Sequence, residues 1–423
     1  MKRMKWSRLL GLVAALVLMA ALSVFSASAE GVKNGVQYNE QDGNWYLYNN
    51  GQIVYGYNGT AWNNAGLWVI QDGRVNFGVN GVQYINVGGE NGWWNVENGR
   101  VAYDKSVVSY NDAGWWYCPN GKVDFHYYGV APNAAGWWRI EGGKVNFNFH
   151  GLAQNAAGWW KCTDGKVDFG FNGLFPNLKG WWFIENGRIK TELTGNYNVH
   201  GITYAFHNGC VIGAPGRRII YLTFDDGPYM YTRSLLNTLA KYHVPATFFV
   251  TNAYPGYSNL IRQEKLNGHQ VAVHTYTHSY GQVYSSTSAY WRDFDRTNNL
   301  ICRQTGEYTT LFRFPGGSSN TVSRNYCSGV MSALSRQAVE KGYIYFDWNV
   351  SSGDAGQTSS PGGVYSNCVG GVSRVNPAVV LCHDVKPWTV GAMDSFISWA
   401  LDHGYAFLPL TEFSPTAHQR IAN

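Results

Sequence analysis

The fold of the second half of the chain follows from residues 218–228, which read RIIYLTFDDGP. The apolar run predicts a buried strand, and two carboxylates stand at its carboxyl end, just before Gly-Pro. Further strand-like segments lie near 246–250, 270–274, 343–350, 379–382 and 406–408. Helix-like segments alternate with them, near 232–242, 258–267, 288–304, 328–341 and 391–403. This alternation predicts a distorted (β/α) barrel over residues 213–423.

Polar motifs follow two of these strands, at the edge where barrel active sites lie. Burying Asp225 and Asp226 is costly unless they are paired or bind a metal, and strand alternation gives them different roles. His274 and His278 are spaced to converge on one ion if the segment turns into a helix. With Asp226 they predict a two-histidine, one-carboxylate site with positions open for water and substrate. Singly, an Asp pair is usually a turn or cap, so the interpretation depends on the motifs occurring together.

Five motifs stand in the second half of the chain: TFDDGP (223–228), HTYTH (274–278), RFPGG (313–317), WNVSSGD (348–354) and LCH (381–383). In this order they resemble the motifs of the polysaccharide deacetylase family, also called the NodB-homology family or carbohydrate esterase family 4. The resemblance covers about residues 218–410 and implies a metal-dependent deacetylase.

The resemblance implies a role for each residue of the first two motifs. Asp226, His274 and His278 would bind a divalent metal, with zinc preferred and Co²⁺ or Mn²⁺ as alternatives. The metal would polarise the acetamide carbonyl and lower the pKa of water. Asp225 would be the general base, and His383 of the last motif the general acid that protonates the departing amine.

The remaining motifs supply supporting residues. Arg313 would orient Asp225 and keep it ionised, and Asp354 would hold the tautomer of His383. The backbone N–H near Gly316 would stabilise the oxyanion, and Leu381 would line the pocket for the acetyl methyl group. Alternatives are left open for three positions: a surface cation at 313, a plain loop residue at 354, and Asp384 as the partner of residue 383.

The fourth motif departs from the family pattern. The family often has Trp after the motif aspartate and Asp three residues before it, where this chain has Ala355 and Ser351. One wall of the substrate groove is therefore expected to be more open. Trp348 or Trp388 is a candidate for replacing the missing ring in substrate binding.

The first half is dominated by an internal repeat. Gly followed by aromatic residues begins units at Gly43, Gly66, Gly92, Gly114, Gly136, Gly158 and Gly180, and the last four intervals are 22 residues each. One clear copy is GWWRIEGGKVNFNFHGLAQNAA (136–157). Two short strands around a Gly-rich turn form a hairpin too small to bury its own aromatics, so the units are expected to stack as a β-hairpin solenoid over residues 30–212.

The array resembles the Trp- and Gly-rich cell-wall-binding repeats of secreted bacterial proteins, including the choline-binding class. Aromatic faces pack against sugar rings or quaternary ammonium groups, so a cell-wall polymer or glycan is the expected partner. The alternative is that the Trp residues are only the solenoid core and the array is a spacer. Alternation along the strand predicts one buried and one exposed ring in each Trp pair.

Composition excludes several classes of protein. The chain has 423 residues, 50 of them Gly, with 16% aromatic and 14% charged residues, which excludes a disordered chain or a coiled coil. The net charge is +5, but four basic residues lie in the first eight positions and no acid precedes Glu30. Without that segment the charge is near +1, so no nucleic-acid partner is expected.

Residues 1–29 are predicted to be a secretory signal peptide. A basic start precedes an apolar run from Leu9 to about Val24 and then Ala27-Ser28-Ala29. An uncleaved anchor is the alternative, but after cleavage no transmembrane anchor is expected. Export permits disulfides, and Cys302 with Cys327 is the one pairing considered among seven cysteines.

These observations predict a multidomain, secreted, wall-associated enzyme. It would remove acetyl groups from N-acetylglucosamine in a β-1,4-linked glycan, with peptidoglycan preferred because the repeats would hold it on a wall. Chitin oligosaccharides and acetylxylan are alternative substrates. A wall-binding structural protein with an inactive barrel is the alternative from a different class.

Overall fold

The computed structural model describes residues 32–423, and the predicted signal peptide at 1–29 lies outside them. The chain divides into two compact units, of which the first ends at Asp104 and the second spans Lys105–Asn423. The predicted boundary at 212/213 therefore falls inside the second unit. Among the residues described, no helix is long and apolar enough to span a bilayer.

The first unit contains an antiparallel sheet of nine strands in the order β1-β2-β6-β5-β9-β8-β7, with β3 on β2 and β4 on β5. The strands are β1 Gly35–Asn39, β2 Asn44–Asn49, β3 Gln52–Ile53, β4 Gly59–Asn63, β5 Gly66–Gln71, β6 Arg74–Val75, β7 Gly81–Val87, β8 Glu90–Glu97 and β9 Arg100–Val101.

The second unit begins with the same hairpin repeat, in a 14-stranded sheet. Its strands are β10 Val107–Asn111, β11 Gly114–Cys118, β12 Gly129–Asn133, β13 Gly136–Glu141, β14 Lys144–Val145, β15 Gly151–Asn155, β16 Gly158–Thr163, β17 Lys166–Val167, β18 Gly173–Asn177, β19 Gly180–Glu185, β20 Arg188–Ile189, β21 Gly195–Val199, β22 Ile202–His207 and β23 Cys210–Gly213. A 3₁₀ turn covers Pro119–Gly121. The predicted hairpin solenoid is confirmed.

Five of the hairpins are each closed by one asparagine. In the hairpin of β12 and β13, Asn133 Oδ1 accepts a 2.9 Å hydrogen bond from the backbone N–H of Ala135 and another of 2.9 Å from the indole N–H of Trp138. The same pairing recurs at Asn63–Trp68, Asn111–Trp116, Asn155–Trp160 and Asn177–Trp182. The second aromatic position is thus committed to the repeat's own structure.

Neighbouring repeats are coupled by a basic side chain. Lys166 pairs in register with Trp138 of the preceding unit, and its ammonium lies 5.4 Å from that ring's centroid. The side chain runs past Gly136, whose φ is +143°, and a Cβ there would collide with it. The glycine that starts the repeat is therefore required by close approach as well as by backbone conformation.

The predicted alternation within Trp pairs holds in only part of the array. Trp159 is 37% exposed and Trp160 is 9% exposed, as expected. In the last pair the order is reversed, because Trp181 is the buried ring, and Trp182 is half-buried instead of exposed. Its ring packs 5.3 Å from that of Tyr204 in a cluster that includes Ala406 of the barrel, so packing outside the repeat overrides the local alternation.

The rest of the second unit contains a parallel sheet of eight strands in the order β28-β27-β26-β25-β24-β30-β29, with β31 on β24. The strands are β24 Arg218–Asp225, β25 Thr247–Val250, β26 Gln270–Val273, β27 Leu311–Phe312, β28 Ile344–Tyr345, β29 Val350–Ser351, β30 Ala378–His383 and β31 Tyr405–Phe407. The helices are α1 Thr232–Lys241, α2 Leu260–Leu266, α3 Tyr280–Val283, α4 Thr287–Thr305, α5 Val330–Glu340, α6 Pro361–Val372 and α7 Pro387–Asp402, with 3₁₀ turns at Pro255–Tyr257 and Val322–Asn325.

The predicted distorted barrel is confirmed, with one difference in its strands. The segment 343–350, expected as one strand, forms β28 and β29 with a break between them. The break contains Asp347, whose buried carboxylate accepts hydrogen bonds from the backbone of Ser318 at 2.7 Å and of Gln419 at 2.9 Å. At this point these hydrogen bonds to loops replace the backbone hydrogen bonds between neighbouring strands.

The hairpin of β18 and β19 packs on the amino-terminal end of the barrel. Leu178, in the turn between β18 and β19, packs against a buried cluster inside the sheet. The cluster contains Phe249, Ala272, Leu311, Phe346 and Leu410. The side chain of Leu178 therefore completes an apolar layer that the barrel sequence does not fill by itself.

Polar contacts reinforce this docking. Gln270, the first residue of β26, donates hydrogen bonds of 3.2 Å to the carbonyls of Asn177 and Leu410. Arg262 donates a 2.8 Å bond to His150 Nε2. Burial and the Arg262 charge lower the pKa of His150 to about 4, so this imidazole is neutral and accepts. The repeats contact the amino ends of the strands, away from Asp225 at the carboxyl end of β24.

The cysteine prediction is wrong. All seven cysteines are free thiols. Cys302 lies beside Tyr308, whereas Cys327 Sγ faces the carbonyl of Ser328 at 3.9 Å.

Candidate active site and metal centre

Two imidazoles and one carboxylate converge at the carboxyl ends of β24 and β26. Asp226 Oδ1 lies 3.5 Å from His274 Nε2 and 3.3 Å from His278 Nε2. One ligand atom from each residue can be chosen so that all lie within 4.8 Å of one another. The backbone turns sharply to achieve this, with φ of +76° at Asp226 and +52° at His278.

The protonation of these groups suits a cation. His274 Nδ1 donates to the carbonyl of Arg313 at 2.8 Å, which leaves the Nε2 lone pair facing the carboxylate. Burial lowers the pKa of His274 and favours the neutral imidazole. Burial opposes ionisation of Asp226, but the neighbouring histidines outweigh it and lower the pKa of this carboxyl. Asp226 Oδ1 is buried and accepts no hydrogen bond from any described group, so the donor set fits a divalent ion.

Asp225 lies beside this cluster and is held by a buried arginine. Arg313 is fully buried, and its Nη1 donates 2.8 Å hydrogen bonds to Asp225 Oδ1 and to Thr223 Oγ1. Its Nε and Nη2 donate 3.0 Å bonds to the carbonyls of Phe346 and Asp347. The second oxygen of Asp225 remains on the side of His274, with Oδ2 3.9 Å from His274 Nε2.

His383, at the end of β30, stands on the other flank. Its Nε2 lies 4.0 Å from Asp226 Oδ2, and its Nδ1 lies 2.8 Å from Asp354 Oδ1. Burial opposes the charged imidazolium, but the hydrogen bond to Asp354 and the charges of the nearby aspartates raise the pKa of His383 to about 9. The alternative partner Asp384 points away, and its carboxylate instead accepts a hydrogen bond from Thr232.

The other predicted residues surround this centre. The backbone N–H of Gly316 donates to no described residue, and Leu381 lies next to Thr223 in the register of β30 on β24. Trp348 covers the backbone at Gly317. Trp388 is the ring joined to the fourth motif, since its indole N–H donates to the carbonyl of Asp354 at 3.1 Å.

Three supporting residues were not identified from the sequence. Asp293, on α4, accepts from the backbone N–H of Tyr276 at 2.5 Å and from Thr277 Oγ1 at 2.9 Å, and so holds the turn between the two histidines. Thr389 donates a 2.6 Å bond to Asp354 Oδ2. Tyr280 lies beside His278, with ring centroids 5.8 Å apart. None of the three belongs to one of the five motifs, and no regular spacing in the sequence relates them to the motif residues.

Comparison with known proteins agrees with the site. Residues 213–329 match the family model described as polysaccharide deacetylase. Four segments match the choline-binding repeat, at 105–124, 127–146, 148–168 and 170–190. A peptidoglycan-N-acetylglucosamine deacetylase of Bacillus cereus is 30% identical over 197 residues, which cover 45% of this chain and 68% of that protein.

Two further proteins with similar sequences are also peptidoglycan deacetylases by name. A protein of Listeria monocytogenes, also a peptidoglycan-N-acetylglucosamine deacetylase, is 30% identical over 198 residues, which cover 46% of this chain and 38% of that protein. The catalytic domain of a peptidoglycan N-acetylglucosamine deacetylase from Eubacterium rectale has a crystal structure with 50% sequence identity and a TM-score of 0.49. The alignment covers 49% of this chain and 96% of that one.

The fold, the match to the family model and the similarity to the Bacillus cereus protein define a carbohydrate-modifying hydrolase built on a (β/α) barrel. More narrowly, the chain belongs to the polysaccharide deacetylase family, and choline-binding repeats at residues 105–190 precede its deacetylase domain.

Proposed function

We propose that this chain is an exported, cation-dependent N-deacetylase acting on N-acetylglucosamine residues of peptidoglycan. The observation that carries the proposal is the convergence of Asp226, His274 and His278 between a held carboxylate and a charged imidazole. The working division is a signal peptide at 1–29, a binding array at 30–212 and a catalytic domain at 213–423.

Asp226, His274 and His278 would hold the cation, with zinc as the preferred ion for a mixed imidazole and carboxylate set. When bound, a divalent ion supplies Lewis-acid polarisation of the acetamide carbonyl and makes water a stronger acid. The protein's own part is to orient the three ligands, and the bond from His274 Nδ1 to the carbonyl of Arg313 serves this purpose.

Asp225 would act as the general base. One oxygen is held by Arg313, so the carboxylate cannot rotate freely, and the other lies toward the centre. Taking the proton from water at this oxygen allows the new C–O bond to form to the acetyl carbon. Arg313 would also place its buried positive charge beside Asp225, 2.8 Å from Oδ1.

His383 would act as the general acid. Because Asp354 and its neighbours raise the pKa of His383 to about 9, the ring carries a proton at neutral pH. It would deliver that proton to the sugar nitrogen as the C–N bond breaks, leaving acetate and a glucosamine unit. Asp354, itself held by Thr389, would fix the orientation of the ring.

The substrate would meet three further groups. The N–H of Gly316 would face the developing oxyanion, Leu381 would contact the acetyl methyl group, and Trp348 would line the groove. Peptidoglycan is the preferred polymer for two reasons: the relatives from Bacillus cereus and Listeria monocytogenes are named for it, and the repeats match a wall-binding class.

The repeats would bind a cell-wall polymer through rings that the fold leaves uncovered. Trp115 and Trp159 are each 37% exposed, while their neighbours Trp116 and Trp160 are engaged by asparagines. Exposed aromatic faces suit sugar rings and quaternary ammonium groups. The repeats that contact the barrel lie at the amino ends of its strands, so they would not cover the catalytic edge at the opposite ends.

The purified full-length protein is expected to release acetate from peptidoglycan, and each modified muropeptide should lose one acetyl group by mass spectrometry. Removing divalent ions with a chelator should stop the release, and adding zinc back should restore it.

Turnover should decline as the pH rises through about 9, where His383 loses its proton.

Chitin oligosaccharides and acetylxylan serve as competing substrates in the same assay. If acetate were released faster from either of them than from peptidoglycan, that glycan would be the preferred substrate instead. Acetate release that is unchanged after complete removal of metal would contradict cation dependence.

Replacing both exposed rings, Trp115→Ala with Trp159→Ala, is expected to weaken sedimentation with insoluble wall by roughly two- to tenfold per ring. Turnover of a soluble oligosaccharide should stay the same, since neither ring lies near the catalytic centre. Phe413→Ala is the matched control, because Phe413 is a 77% exposed ring on the barrel half. Equal wall binding by the double variant and this control would favour the spacer interpretation.

A further inference from the structure

One tyrosine hydroxyl near the candidate metal centre is unexplained by the five motifs. Tyr280 begins α3, two residues after His278, and its ring packs against His278 and against Tyr284, with centroids 5.8 Å and 5.4 Å away. The neighbouring Tyr284 hydroxyl is committed, since it donates to the carbonyl of Pro315 at 2.8 Å. The Tyr280 hydroxyl, in contrast, makes no hydrogen bond with any residue between 32 and 423.

The hydroxyl lies against Gly316, whose N–H also lacks a partner among the described residues. A Cβ at position 316 would collide with the Tyr280 oxygen, and φ there is +75°. Glycine at this position therefore leaves the space that the phenol occupies. Two unpaired donors, one backbone N–H and one O–H, are thus adjacent at the rim of the site.

We propose that Tyr280 is a catalytic residue that donates a hydrogen bond to the acetyl oxygen of the substrate, together with the N–H of Gly316. The inference rests on the proposed deacetylase reaction and adds a residue to it. As water adds to the acetyl carbon, the carbonyl π bond breaks and its electron pair moves to that oxygen. Asp225 takes the water proton, His383 later protonates nitrogen, and the phenol keeps its own proton throughout.

The hydrogen bond from the hydroxyl would become strong only as negative charge develops on the acetyl oxygen. It would therefore lower the activation barrier more than it strengthens substrate binding. A hydroxyl at this position would also favour substrates that present a carbonyl oxygen toward Gly316. It thereby links the glycine of the third motif to a residue outside the five motifs.

The test is Tyr280→Phe in the full chain, which removes the hydroxyl and keeps the ring that packs on His278. We expect kcat to fall about 10- to 100-fold with KM within about twofold, and an unchanged zinc content and melting temperature. Tyr326→Phe is the matched control: Tyr326 is 48% exposed, its ring lies against the neighbouring Gly281, and it is expected to behave as the unaltered protein.

A second readout needs no turnover. A phosphonamidate analogue of N-acetylglucosamine, which presents a tetrahedral anionic group, should bind Tyr280→Phe about 10- to 100-fold more weakly, while the acetylated sugar binds equally well. The inference is overturned if the variant binds the analogue as tightly as the unaltered protein, or if kcat falls only together with zinc content. Failure of the proposed function is a different result, in which the unaltered protein releases no acetate from any acetylated glycan.

Discussion

Asp226→Asn is expected to abolish both cation binding and acetate release, whereas Asp225→Asn should keep the cation and greatly slow turnover. An amide at 226 removes the negative oxygen that lies 3.5 Å and 3.3 Å from the two imidazoles, so the site loses its charged ligand. An amide at 225 still accepts from Arg313 but cannot take a proton from water. We expect a loss of roughly 10²- to 10⁴-fold in kcat for this variant.

The comparison combines metal analysis of dialysed protein with acetate release from peptidoglycan. Melting temperatures are measured for both variants, because an amide at 225 leaves the buried Arg313 charge without its partner and reduces stability. Assays are therefore run well below the lower melting temperature. If Asp225→Asn lost the metal as well, or if Asp226→Asn kept it, the roles assigned to the two aspartates would be wrong.

Leu178→Asp is expected to destabilise the barrel although residue 178 belongs to the repeat array. The native leucine packs on the buried layer formed by Phe249, Leu311 and Leu410, and a carboxylate there would lose water without gaining a partner. Leu178→Ala, a milder change at this half-buried site, should cost about 2 kcal/mol. That corresponds to a melting temperature lower by roughly 4–8 °C, and the aspartate variant should lose more.

The measurement is thermal unfolding followed by circular dichroism, with acetate release as a second probe of the barrel. Ile212→Ala is the matched control, because Ile212 is 67% exposed on the last repeat strand and its loss should change stability by no more than about 0.5 kcal/mol. An unchanged melting temperature for Leu178→Asp would mean that the barrel does not depend on the repeat. It would also favour a boundary at 212/213 for independent folding.

The candidate metal ligands could be predicted because each motif is a short stretch of sequence whose residue types already indicate its chemistry. Two aspartates after an apolar strand, and two histidines spaced by four after another, are written within a few residues of each strand end. A parallel sheet brings the carboxyl ends of its strands to one edge, so the approach of Asp226 to His274 and His278 follows from topology.

The sequence could not decide which aspartate pairs with His383, because Asp354 and Asp384 have the same chemistry and both lie in or beside the motifs. The choice depends on which side of β30 each group faces and on the loop that carries Asp354 back to it. In the fold Asp384 points to Thr232, and Asp354 reaches both the backbone N–H and Nδ1 of His383, at 2.7 Å and 2.8 Å.

Three features depend on contacts between segments far apart in the chain, and no periodicity or motif encodes such contacts. The hydroxyl of Tyr280 meets Gly316, the side chain of Leu178 fills a layer of the barrel, and Trp181 rather than Trp182 is the buried ring of its pair. The alternation of strands and helices, the ligand types and the repeat length are read from neighbouring residues. Which side chain occupies a given space is settled only when the whole chain packs, because that space is bounded by several elements at once.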